Sequence, residues 1–335
     1  MSAFPSLLPP RPTMPLLLAL VCCIGLMTVR AVAADTGDYP NRPIRIVVPF
    51  APGTQLDLAG RIVSAKLSEA VGQPVIVDNR PGASGNIGSD AVAKAAPDGY
   101  TLLLTGSFIT SLPSTMGSRA VDPIAAFAPI TKLSEPPMMI VVNPALNVRT
   151  LDELIALARK APGKIAYSTP GVGSSQHLAA VMLQQRTGVE LLHVPYANGG
   201  QALNDVVSGI VPVYFSFIGT VESFLRSGRL RALAVATGRR ATNWPDVPTI
   251  AELGYQDFAV TSWNCMLAPA GTPPEIIARL HRELARIVQQ PDVRAQFLTM
   301  GSEPMSNTPE QFSGEIKAAV ARWSDVARLA GIRAD

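Results

Sequence analysis

Ile44-Arg45-Ile46-Val47-Val48-Pro49-Phe50 runs into Ala51-Pro52-Gly53-Thr54-Gln55-Leu56-Asp57. Val75-Ile76-Val77-Asp78 then runs into Asn79-Arg80-Pro81-Gly82-Ala83-Ser84-Gly85-Asn86. Both stretches have the same grammar: a short apolar run, a polar turn bearing glycine, and a helical pattern beyond. A third apolar run, Tyr100 to Thr105, follows the Pro97-Asp98-Gly99 turn. Such alternation reads as βαβ units of a parallel sheet. Ligands of these sheets sit outside the carboxyl ends of the strands, where the turns lie. The turns are short of charge and rich in backbone N–H groups and small hydroxyls, which suits holding an anion.

Working outward, Asp57 is placed to cap a helix running to Ala70, which Gly72 ends. A helix is expected from about Ile87 to Ala95, and Ser107 to Ile130 reads as irregular. Met138 to Val142 is a further apolar run that leads into a second half with the same grammar. There Thr150-Leu151-Asp152-Glu153 is a capping box. Strand Lys164 to Ser168 enters the loop Thr169-Pro170-Gly171-Val172-Gly173-Ser174-Ser175, and a helix follows from Gln176 to about Arg186. Val189 to Val194, Val211 to Phe217 and Leu230 to Ala236 are strands. Val260 to Ala268 is a long extended run. Thr272-Pro273-Pro274-Glu275 and Thr308-Pro309-Glu310-Gln311 open two closing helices, each with an N-cap, a proline and an acid or amide.

The first residues carry a different signal. Met14 to Met27 is an apolar run of fourteen residues, preceded by Arg11 and followed by Ala31-Val32-Ala33. That pattern predicts a cleaved secretory signal over residues 1–34, its apolar run too short for a membrane span. Val21 before Cys22 does not suit a lipoprotein cleavage site. Cleavage would remove two of the three cysteines and leave Cys265, so no internal disulfide is expected. It would also take Arg11 and Arg30 from 28 basic residues and none of the 25 acidic ones, bringing the net charge near +1. No basic run or arginine-rich arm points to nucleic acid. About 300 residues remain, enough for two domains stabilised by core burial.

The order and spacing of several motifs carry a resemblance. Pro49-Phe50-Ala51-Pro52-Gly53, Asn79-Arg80-Pro81-Gly82-Ala83 and Ala96-Pro97-Asp98-Gly99-Tyr100-Thr101-Leu102 are three of them. Tyr167 to Ser175, His193-Val194-Pro195-Tyr196, Pro245 to Thr249 and Pro269-Ala270-Gly271-Thr272-Pro273 continue the series. After residue 38 the chain resembles the substrate-binding proteins of tripartite tricarboxylate transporters, the Bug family. The resemblance implies a type II periplasmic binding protein fold. Two α/β lobes, each a mostly parallel sheet flanked by helices, would be joined by two crossing hinge strands. Residues 35–137 and 260–335 would form the first lobe and 138–259 the second. It implies a periplasmic receptor that captures a small organic anion, a di- or tricarboxylate or related acid, without catalysis or cofactor. The membrane partner would be a permease with large and small subunits, or a sensor kinase, and the chain is expected to be a monomer.

Two readings of Thr169 to Ser175 stand on the residues alone. Ser174 or Ser175 caps a helix over a glycine turn, or the loop cradles a carboxylate with its N–H groups and hydroxyls. The resemblance favours the cradle. Its candidate residues are Ser168, Thr169, Gly171, Gly173, Ser174 and Ser175, with Tyr196 and Ser216 beside them. Thr54, Gln55, Ala83, Ser84 and Ser107 would form the opposite wall. Family members commonly carry two more glycines and a threonine where this chain has Thr54, Gln55 and Leu56, which marks Thr54 and Gln55 as specificity candidates. Many relatives carry aspartate at the positions of Pro212 and Ser216. Losing it predicts a carboxylate without an ammonium group rather than an amino acid.

Enzyme signatures are weak. His177, His193 and His281 lack metal-ligand spacing, and Cys265 stands alone. Gly82-Ala83-Ser84-Gly85 is one residue short of a nucleophile elbow. A secreted hydrolase acting through Ser174 is the reading from another class.

Overall fold

The structure is a computed structural model that describes residues 39–329, apart from Gly173, Ala197, Asn198, Asp257, Ala259 and Thr261. The expected secretory segment lies outside the described residues.

The first apolar run forms β1 (Ile44–Val48), four of whose five side chains are buried. Its polar turn leads into α1 (Gln55–Val71), which Gly72 ends in the left-handed conformation. The N-cap is Thr54 rather than Asp57: the Thr54 hydroxyl accepts the Asp57 N–H at 3.3 Å. Asp57 sits in the first turn, where its carboxylate accepts the Gly53 N–H and the Asn79 amide, both at 2.9 Å, and pairs with Arg61 at 3.0 Å. That buried carboxylate ties the turn after β1 to the end of β2 (Val75–Asn79). The chain continues through α2 (Asn86–Ala93) and β3 (Thr101–Gly106). The stretch expected to be irregular contains short helical turns, among them α3 (Leu112–Met116), and the start of β4 (Phe127–Glu135).

β4 belongs to one sheet and β5 (Met138–Val142) to another, so the chain changes sheets at Pro136-Pro137. Proline on both sides of the step blocks helix and ladder continuation alike. The second unit then runs through α4 (Leu151–Lys160), capped by Thr150 as expected, and β6 (Ala166–Thr169). Next come α5 (Ser175–Thr187), β7 (Leu192–Pro195), α6 (Gly199–Val207) and β8 (Val213–Phe217). It closes with α7 (Ile218–Arg226) and β9 (Arg231–Val235). Val260 still bonds to Ala236 of the second unit, whereas Trp263 packs in the core of the first. The expected long strand is therefore split, and only β10 (Asn264–Pro269) is ladder.

Three helices, not two, close the described residues. α8 (Pro274–Ile287) starts after Pro273, and the Thr272 hydroxyl donates to the Pro269 carbonyl instead of capping it. α9 (Pro291–Thr299) buries only Val293 and Phe297, too thin a stripe to stand out in the sequence. β11 (Glu303–Pro304) is two residues long. Before α10 (Pro309–Leu329) the Thr308 and Gln311 capping box forms in both directions, at 3.2 and 3.1 Å.

The first sheet has the order β11-β4-β10-β3-β1-β2 and the second β7-β6-β8-β5-β9. Both are mixed rather than mostly parallel. β1, β2 and β3 are parallel, as are β6, β7 and β8, but β10, β4 and β5 pair antiparallel with their neighbours. The antiparallel strands are those that carry the chain between the sheets, so they enter from the opposite end. Register shifts between β4 and β10 put Pro129 at an irregularity, where its missing N–H is tolerated.

Candidate functional site

In each sheet the parallel strands end toward one cleft of about 350 Å³. From the first unit it takes Phe50, Thr54, Gln55 and Leu56 after β1, and Ser107, Phe108 and Ser111 after β3. From the second come Ser174, Ser175 and Gln176 at the start of α5, and Phe217 at the end of β8. Pro136, Ser262 and Asn264, where the chain changes sheets, and Trp323 of α10 complete the wall. Among the described residues, no charged side chain is in that lining. The first turns of α1 and α5, helices of 17 and 13 residues, both border the cleft. Each brings unpaired N–H groups and about half a positive charge. Hydroxyls of Thr54, Ser107, Ser174, Ser175 and Ser262 surround them, with Ser107 and Ser262 bonded to each other at 2.9 Å. Such a site can hold a carboxylate with dipoles and hydroxyls alone, against an apolar floor of three phenylalanines and a tryptophan.

Of the sequence candidates, Thr54, Gln55, Ser107, Ser174 and Ser175 line this cleft. Gln55 also donates from Nε2 to the Met300 carbonyl at 2.9 Å. The others are engaged elsewhere. Ser168 is buried and directs its hydroxyl at the Ala202 carbonyl. Thr169 Oγ1 accepts the Gly171 N–H at 3.2 Å and lies 2.7 Å from His193 Nε2. Tyr196 donates to the Asp205 carboxylate at 2.6 Å, and desolvation together with that carboxylate raises the phenol to about 12. Ser216 is buried within β8 and donates to the Phe217 carbonyl. Neither Ser216 nor Pro212 is in the cleft lining. Ala83 and Ser84 form a left-handed turn with φ of 46° and 52°, and the adjoining Gly85 packs against Phe108. Gly173 lies outside the described residues.

Sequence reasoning missed Phe50, Phe108, Phe217, Ser262, Asn264 and Trp323. The Pro136-Pro137 step between two apolar runs was the available signal for the hinge wall. Nothing local marks Trp323, which reaches the cleft from the last helix.

The profile of the "Tripartite tricarboxylate transporter family receptor" matches residues 59–332. The chain belongs to that receptor family. BugT of Bordetella pertussis (strain Tohama I) is 39% identical over 324 residues, covering 94% of this chain and 98% of that protein. A solved R. palustris structure with adipate is 33% identical at a TM-score of 0.74, covering 88% of this chain and 99% of that one. MatC from Rhodopseudomonas palustris with bound malate is 29% identical at a TM-score of 0.70, covering 86% of this chain and all of that one. The two sheets with their flanking helices are thus the two lobes of a periplasmic binding protein fold.

Inside the second lobe of this family receptor, the two histidines that look unrelated in sequence stack, ring on ring, at 4.1 Å. Tyr167 stacks on the other face of His193 at 4.9 Å. Burial, with His177 beside it, lowers the His193 imidazole to about 4, and burial lowers His177 too. An unfolded imidazole takes its proton near pH 6.5, so between there and about pH 4 the unfolded chain binds more protons. Stability should therefore fall as pH falls through that window. Urea midpoints at pH 7 and 4.5 are expected to differ less in His193→Gln than in the wild type.

Ser174 caps α5, its hydroxyl accepting the His177 N–H at 3.2 Å. Ser174→Ala is expected to cost about 1 kcal/mol in urea unfolding. Cys265 is buried and its thiol is pushed well up by that burial, which makes it a poor nucleophile.

Proposed function

We propose that this chain is a non-catalytic receptor that captures a small carboxylate between its lobes and presents the closed form to a membrane permease. One observation carries the reading: two helix N-termini, from opposite lobes, border a cleft with no charged side chain among the described residues that line it. A carboxylate touching both α1 and α5 gains contacts from each lobe only when they close, which stabilises the closed form. Thr54, Gln55, Ser107, Ser174 and Ser175 are the proposed contacts. Adipate and malate in the solved relatives support the ligand class. The lobes divide as 35–137 with 260–335, and 138–259, and move about Pro136-Pro137 and the return crossing at Ser262-Trp263. The family supports a permease as the membrane partner, and the segment over 1–34 supports export to the periplasm, with the mature chain acting as a monomer. Ser174 spends its oxygen on a helix cap, which counts against a hydrolase built on it.

Thermal melting of the mature chain with malate, adipate and longer carboxylates tests this. Bound ligand at a hundred times its Kd adds about 2.7 kcal/mol to folding. A saturable rise in Tm without turnover is expected. Turnover of an ester or amide, abolished in Ser174→Ala, would contradict the reading.

A further inference from the structure

Beyond Ser107, Ser175 and Trp323 the cleft abuts a chamber of about 300 Å³, and those three residues border both spaces. The two differ in chemistry. The outer cleft lining has no charge, whereas the chamber is lined by Lys132, Glu135, Glu315 and Arg322, whose formal charges cancel. Lys132 Nζ spans the two carboxylates, 2.7 Å from Glu135 Oε1 and 2.8 Å from Glu315 Oε2. The other oxygen of Glu315 accepts the Asn307 amide at 3.1 Å. Glu135 Oε2 has no hydrogen-bond partner among the described residues, and its side chain is 15% exposed. It is an open acceptor at the edge of a half-enclosed space.

We propose that this chamber is a second subsite, in which Glu135 accepts a hydrogen bond from a donor group at the far end of the bound carboxylate. The inference rests on the carboxylate-receptor reading and specifies its ligand. One end is an anion held at the α1 and α5 N-termini, and the body packs on Trp323. The other end is a hydroxyl or ammonium. A second carboxylate at that end would meet Glu135 and Glu315 in a chamber with no net positive charge to offset them. This receptor therefore prefers an asymmetric acid to a symmetrical dicarboxylate.

Four probes of similar length separate the possibilities in calorimetric titration: hexanoate, 6-hydroxyhexanoate, 6-aminohexanoate and adipate. At least one donor-bearing acid is expected to bind about tenfold or more tighter than hexanoate and adipate, the scale of one hydrogen bond to a charged acceptor. Whichever of the two leads identifies the donor as neutral or cationic, and either supports the subsite. Glu135→Ala should erase the preference while hexanoate binding stays. Ala319→Leu, which fills the chamber and leaves the Lys132 pairs intact, should do the same and guards against a folding defect in the first variant. Adipate binding as tightly as the donor acids, or a preference that survives both variants, overturns the subsite and leaves the receptor reading standing. Absence of binding by all four overturns the subsite, and absence of a Tm rise with malate and longer carboxylates as well overturns the receptor reading.

Discussion

Gly301→Ala is expected to cost the fold about 3 kcal/mol, and Gly228→Ala only about 1. Both glycines hold the left-handed conformation, at φ of 69° and 70°, so the backbone penalty is shared. Their surroundings differ. A Cβ on Gly228 meets nothing within 4 Å, whereas one on Gly301 comes within 2.5 Å of the Gly219 Cα. Gly219 is in the first turn of α7, and a Cβ there would collide with the Met300 carbonyl oxygen. The turn after α9 in the first lobe thus packs backbone to backbone against the second. Two more bonds hold the same seam: Thr242 N–H and Oγ1 donate to the Glu303 carboxylate at 2.7 and 2.8 Å. Since Gln55 also donates to Met300, a shift of this turn reaches the cleft wall directly. Urea unfolding of the two alanine variants gives the difference. Equal losses would mean that the seam yields without cost.

Lys132→Met is the second large effect, about 3 kcal/mol of destabilisation. The side chain is 6% exposed and neutralises two carboxylates from different elements, Glu135 at the end of β4 and Glu315 on α10. Methionine fills the space but leaves Glu135 charged, half-enclosed and unpaired. Pairing the change with Glu135→Leu should recover most of the loss, because an apolar pair of similar volume escapes the desolvation cost. Burial alone lowers the ammonium's pKa, but the two carboxylates outweigh it and leave it raised above 10.5. The stability this supplies is complete below pH 10.5 and is lost as pH climbs through the folded value. Wild-type stability should therefore fall at high alkalinity more than that of the double variant.

Much of this architecture is legible in the sequence because apolar runs and polar turns are local signals. β1, β3, β5 and the capped starts of α4 and α10 fall where their residues put them. Asp57 misleads because an acid three places into a helix and an acid at its cap look alike. The difference lies in Asn79, a neighbour 22 residues away. The antiparallel halves of the sheets are illegible for a similar reason, since direction is set by where a strand enters and not by its composition. At the site, the residues beside helix starts are readable, as Thr54 and Ser174 show. Phe217 and Trp323 are not, because any buried strand or long helix offers such side chains. Ser168 and Ser216 illustrate the converse: hydroxyls near the right loop in sequence turn inward to carbonyls.

The central claim is that the ligand's carboxylate is held here by helix N-termini and hydroxyls, with no charged side chain against that carboxylate. Calorimetric titration of the mature chain with the tightest-binding carboxylate and with its primary amide tests it most directly, at pH 6, 7.5 and 9. The account predicts one-to-one binding of the carboxylate with a Kd that is flat across that range, and no detectable binding of the amide. Equal binding of acid and amide, or an affinity that follows the titration of a protein group, would contradict it.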